Sequence, residues 1–162
     1  MPNVTVNTDA SFMPVEKVGG FAYWIVIENK RFRHSGPLRG LIVNSISAEI
    51  KAIANALFAL TDIVKINNSR LDVLYINTDC KHAIEAINKG TSQLGFSEES
   101  ELVRQLIRKL NPRKTEWRHV KAHSGTESAR KYVNDFLDSE AKRHARELRS
   151  KIRKETNGKT NL

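Results

Sequence analysis

The sequence predicts an α/β protein: one five-stranded mixed sheet with helices packed on both faces. Three observations predict it. Segments of strand character open the chain in a group of three, and strand and helix periodicities then alternate, giving the order βββαβααβα. The chain has 162 residues, 40% of them hydrophobic and 28% charged. That length buries a real core without staples but hardly divides into two domains. The expected organisation is one domain over residues 1–148 and a basic, disordered C-terminal tail over 149–162.

Val4, Val6 and Thr8 alternate with Asn3, Asn7 and Asp9, a first strand with one polar face ending at Asp9. Gly19-Gly20 opens Phe21–Glu28, rich in aromatic and β-branched residues, and Arg31–Leu38 pairs back onto it. Asn44-Ser45 offers a cap for a helix whose Ile46, Ile50, Ile53, Leu57 and Leu60 form one stripe. Leu71–Asn77 is the fourth strand. Asp79 suits the cap of a short helix through about Asn88, with Gly90 free to end it in the left-handed region. Ser97–Leu110 is a helix stopped at Asn111-Pro112, and Thr115–Val120 is a fifth strand. From about Glu127 a last helix carries Val133, Leu137, Ala141 and Leu148 along one side. Phe21 and Trp24 read as core, Trp117 as packing or partial cover, and Cys80 as a small filler.

Several classes fall away. The longest apolar run, Phe21–Ile27, is far short of the roughly 20 residues that cross a bilayer. The first residues lack the zones of a signal peptide. A single cysteine, Cys80, makes no internal disulfide, so an intracellular, cytoplasmic setting is expected. A monomer without membrane association is expected as well.

Charge is the outlier: 27 Lys and Arg against 18 Asp and Glu leave +9, a balance that favours a polyanion, nucleic acid before membrane. The excess sits in two stretches, Val103–Lys121 and Lys142–Leu162, each with a net +6, around a body that is slightly acidic.

Four acids stand where a carboxylate must cap, pair or bind a cation. Asp9 closes Asn7-Thr8-Asp9, and Asp79 closes Asn77-Thr78-Asp79. Glu49 flanks the apolar stripe of the first helix, where an unpaired buried charge is costly. Asp138 lies one turn after Asn134 in the last helix. Each alone has an ordinary explanation as a cap, a turn residue or a solvated helix position. Together they suit Mg²⁺, a hard cation that takes oxygen ligands and keeps waters for substrate. His123, in Val120-Lys121-Ala122-His123-Ser124-Gly125, is then a candidate proton carrier, because imidazole titrates near working pH.

These residues carry a family resemblance. Thr8-Asp9-Ala10-Ser11, Ala48-Glu49-Ile50-Lys51-Ala52, Asn77-Thr78-Asp79-Cys80, the His123 loop, and Asn134 with Asp138 and Ala141 occur in the order of type 1 ribonuclease H, of the RNase H-like superfamily. Each short motif is weak; five in order, on the expected elements, are specific. The resemblance implies endonucleolytic hydrolysis of the RNA strand of an RNA–DNA hybrid by two Mg²⁺ ions, with Mn²⁺ as an alternative. Asp9 would bridge the ions, Asp138 would serve the nucleophile side, and Glu49 and Asp79 the leaving-group side. One ion activates water and the other stabilises the departing 3′ oxygen, about 4 Å apart, leaving 5′-phosphate and 3′-hydroxyl ends. His123 would match the family's mobile-loop histidine. Ser11, Asn44, Ser45, Lys121 and Asn134 are the candidate nucleic-acid contacts, and the 2′-hydroxyl must separate RNA from DNA.

The sequence departs from the family pattern in three places. Asp135 rivals Asp138 as last ligand, although the Asn134–Asp138–Ala141 spacing favours Asp138. Ser45 and Ile46 replace the amides that relatives place before the helix glutamate, where Asn44 is a substitute. The basic, Trp-bearing protrusion of bacterial relatives is missing from Lys89–Ser97, so the two basic stretches are expected to supply its grip. The competing readings are a DNA nuclease or junction resolvase on the same fold, and a non-catalytic basic binding module.

Overall fold

The computed structural model describes residues 1–68, 70–89, 96–120 and 129–160. The elements follow the predicted order: β1 (Val4–Met13), β2 (Val18–Ile27), β3 (Lys30–Pro37), α1 (Ser45–Asn67), β4 (Val73–Thr78), α2 (Lys81–Lys89), α3 (Ser97–Leu110), β5 (Lys114–His119) and α4 (Ala129–Thr160). The sheet runs β3-β2-β1-β4-β5. β1, β2 and β3 are antiparallel neighbours, whereas β1–β4 and β4–β5 are parallel.

Alternation along the strands splits the core into two layers. Val4 and Val6 of β1 and Ile25 and Ile27 of β2 pack with Ile50, Ile53, Leu57 and Leu60 of α1, and with Val103, Leu106 and Leu110 of α3. The predicted stripe of α1 is thus its buried face. Ala22 and Trp24, the intervening residues of β2, pack instead on Leu137 and Ala141 of α4. Trp117 is partly buried against the larger layer. Glycine lets α4 approach closely: a Cβ on Gly20 would stand 2.2 Å from the Ala141 carbonyl oxygen and 2.8 Å from the Ala145 nitrogen.

The ends of elements differ from the sequence reading in physically clear ways. β1 does not stop at Asp9 but continues to Met13, because Asp9–Met13 pairs with Val18–Ala22 across the hairpin. α2 begins at Lys81, and the Thr78 hydroxyl accepts from the Cys80 N–H at 3.2 Å just before it. Gly90 lies outside the described residues. The largest correction is the tail. Residues expected to be disordered from 149 onward are helical to Thr160, continuous with α4. Lys, Arg and Glu are good helix formers, and this helix has somewhere to pack. Ala145 is buried, the Arg149 guanidinium reaches the Met13 sulfur at 3.5 Å, and Arg153 pairs with Glu16 at 2.8 Å.

Candidate active site

The two central strands carry the same tripeptide, Asn-Thr-Asp, at residues 7–9 and 77–79. Their parallel register sets Asn7 opposite Asn77, so Asp9 and Asp79 emerge level with one another two residues further on. The asparagines lock that register. Asn77 Nδ2 donates to Asn7 Oδ1 at 2.8 Å, and Asn7 Nδ2 donates to the Trp24 carbonyl at 3.1 Å. Arg118 of β5 donates to Asn77 Oδ1 at 2.8 Å and stacks over Tyr75 at 4.2 Å from the ring centre. A buried amide needs every partner it has, and here four strands supply them.

α1 delivers the third acid. The side-chain oxygen of Asn44 accepts from the Ser47 N–H at 2.9 Å, a cap that fixes where the helix starts. One turn on, Glu49 turns inward beside buried Ala48 and Ile50. Carboxylate oxygens of Asp9, Glu49 and Asp79 all lie within 4.8 Å of one another.

Such proximity is electrostatically costly. Burial first, then the charge on Asp79 and, less strongly, that on Asp138 push Asp9 up to about 7 against the opposing Ala10 N–H. That N–H donates to Asp9 Oδ1 at 2.9 Å. Burial, followed by the charges of Asp9 and Asp79, holds Glu49 well above the usual carboxylate range. Among the described residues neither Asp9 nor Glu49 has a Lys or Arg partner, and Glu49 Oε2 is buried with no hydrogen bond at all. Three hard oxygen donors gathered this closely fit a divalent cation.

α4 closes the site from the other face of the sheet. Asn134, Asp135, Leu137 and Asp138 line a cleft with Thr8, Asp9, Asp79 and Val120. Asp138 stands outside the mutual set of three acids; it is half-buried, and Lys142 Nζ donates to it at 2.9 Å. Asp135 is exposed. Of these two, only Asp138 acts electrostatically on Asp9. Ser11 follows Asp9 in β1, opposite Gly20, and Ser45 is exposed at the start of α1. The cap leaves Asn44 only its NH₂ group for other partners. Lys121 and His123 lie outside the described residues.

The sequence reading missed Asn7, Asn77, Arg118 and Lys142. The repeated Asn-Thr-Asp was the available signal for the asparagines, since identical tripeptides before two acids suit two strands in register. Arg118 and Lys142 carried no local signal, because their partners are 41 residues away or masked as an ordinary helix ion pair.

A mixed sheet in this order, with acids emerging from both central strands and from the helix after the antiparallel opening, defines the RNase H-like superfamily. Within it the chain belongs to the RNase H family, whose model matches residues 1–146, and it is a ribonuclease H hydrolase. It resembles the crystal structure of RNase H1 from the halophilic archaeon Halobacterium salinarum NRC-1 at TM-score 0.61 and 15% identity, over 88% of this chain and 96% of the other. It also resembles the N-terminal RNase H domain of a Mycobacterium tuberculosis protein, solved as a fusion with maltose-binding protein, at TM-score 0.57 and 16% identity. That match covers 88% of this chain and 98% of the other. No curated protein matches the sequence.

Proposed function

We propose that the protein is an endoribonuclease that hydrolyses the RNA strand of RNA–DNA hybrids with two divalent ions, Mg²⁺ first and Mn²⁺ as an alternative. The observation that carries the reading is the set of Asp9, Glu49 and Asp79 within 4.8 Å, with Glu49 Oε2 unpartnered, in a chain of the RNase H family. Asp9, Glu49, Asp79 and Asp138 would hold the ions. When bound, the ions supply an activated water and stabilise the departing 3′ oxygen.

The chain's own residues supply position. The Ala10 N–H orients Asp9, and the Asn7–Asn77–Arg118 network keeps the acid-bearing strand ends in register. Lys142 holds the Asp138 carboxylate at the cleft. Asn134 lines the same cleft and is a phosphate contact in this reading. Ser11, Asn44, Ser45 and Lys121 are further contacts to the hybrid, and His123 carries a proton during turnover. Recognition of the 2′-hydroxyl selects the RNA strand. The catalytic unit acts as a monomer inside the cell. No helix among the described residues is long and apolar enough to cross a membrane.

The test is cleavage of end-labelled hybrid, DNA duplex, RNA duplex and four-way junction, each with and without Mg²⁺. Cleavage confined to the RNA strand of the hybrid, requiring Mg²⁺ and leaving 5′-phosphate ends, is the expected result. Cleavage of the junction alone would replace the reading with a resolvase; none at all would leave a binding module.

A further inference from the structure

We infer that the C-terminal part of α4 is a rigid basic arm that grips the phosphate backbone of the hybrid duplex well away from the scissile bond. The inference rests on the hybrid-nuclease reading and adds to it a second, separate contact surface.

α4 follows β1 residue by residue. Tyr132 and Phe136 meet Trp24, which pairs with Asn7. Leu137 and Ala141 meet Ala22, the partner of Asp9. Ala141 and Ala145 cross Gly20, the partner of Ser11. Arg149 then reaches Met13, and Arg153 reaches Glu16 in the hairpin turn. The helix therefore passes the acids and runs on along the β1–β2 hairpin, away from Asp9 and out to the hairpin turn. From Asp138 to Lys154 it advances roughly 24 Å at 1.5 Å per residue. That is about seven base-pair steps of duplex at 3.4 Å each.

The basic stretch over Val103–Lys121 is largely spent internally. Arg104 and Arg108 pair with Glu101, Arg113 with Asp72, Lys114 with Glu116, and Arg118 serves Asn77. In α4, Arg143 is held by Glu140 and Glu147 and Arg153 by Glu16. Arg146, Lys151 and Lys154 are exposed and make no ion pair among the described residues. With Ser139, Ser150, Arg143 and Glu147 they line one shallow groove along the helix, in which Glu147 is neutralised by Arg143. Three unpaired cations on one rigid face, within about 12 Å by the helix rise, are placed to displace counterions from consecutive phosphates. A packed helix also presents them at no further ordering cost, unlike a disordered tail.

The experiment compares wild type with the triple variant Arg146→Gln, Lys151→Gln, Lys154→Gln on a 20-base-pair hybrid in EDTA, across 50–200 mM salt. The slope of log affinity against log salt should fall by about 2 to 3. Wild type should then lose about 40-fold more affinity than the variant across that range. A control variant, Lys30→Gln, Lys65→Gln, Arg70→Gln, removes equal charge from the opposite end of the strands and should leave the slope near wild type. Phosphate-ethylation interference should lose, in the arm variant only, positions about four to seven base pairs from the cleavage point. Equal slopes for wild type and arm variant would overturn the arm while leaving the nuclease reading standing. Equal losses in both variants would reduce the effect to net charge and overturn it too. A wild-type protein that neither binds nor cleaves hybrid would sink the reading beneath both.

Discussion

At the scale of single residues, the acids divide into a close-set trio and a partner across the cleft. Asp138 and Asp135 sit on the same helix and line the same cleft, yet only Asp138 feels Lys142 and acts on Asp9. Asp138→Asn should lower turnover at least 100-fold, whereas Asp135→Asn should cost less than threefold; the reverse order in a steady-state cleavage assay would move the ligand to Asp135. The raised pKa of Asp9 has a second consequence. A carboxyl at about 7 in the folded state and near 4 when unfolded makes the folded state bind more protons across that window. Stability therefore falls as pH rises from about 4 to 7. Metal-free protein should melt at a lower temperature at pH 8 than at pH 5, and 10 mM Mg²⁺ should restore more of it at pH 8. Equal melting temperatures with no Mg²⁺ effect would mean that the trio does not hold a cation.

At the scale of elements, α1 and β4 were readable because their signals are local. Ile46, Ile50, Ile53, Leu57 and Leu60 spell the buried face of α1, and the Asn44 cap is visible in sequence. The two faults came from long-range partners. Nothing near Asp9 announces that β1 runs on to Met13, since the pairing strand lies across the hairpin. Likewise, Lys, Asn and Gly after Leu148 look like a loose tail until Met13 and Glu16 are set beside them. The seat of α4 on β2 makes a sharp prediction. Gly20→Ala would force its Cβ against the backbone of Ala141 and Ala145, which cannot swing away like a side chain. It should cost about 2–3 kcal/mol, in the range of overpacked cores, and lower activity by shifting Asp138 along with the helix. Gly158→Ala, with nothing within 4 Å, should be neutral or stabilise by up to about 1 kcal/mol in denaturant titration. Similar behaviour of the two variants would refute the close seating of α4.

At the scale of the whole molecule, the net +9 and the acidic centre are complementary parts of one arrangement. Acids that gather cations repel phosphate, so an enzyme of this kind needs positive surface around them. The sequence showed where the charge lies but not which charges are free. Only the fold separates Arg104, Arg108 and Arg113, committed to Glu101 and Asp72, from the open face of α4. The candidate site was legible as a list of acids because their motifs are short and ordered. Its support was not, because Asn7, Asn77 and Arg118 meet only when three strands are assembled. The most direct test of the whole is single-turnover cleavage of an RNA–DNA hybrid by wild type and Asp9→Asn over a Mg²⁺ titration. Wild type should cut the RNA strand only when Mg²⁺ is present, and Asp9→Asn should bind the hybrid normally yet cut at least 1000-fold more slowly. An Asp9→Asn protein that cuts as wild type does, or a wild type indifferent to Mg²⁺, would contradict the metal-dependent site at the centre of the fold.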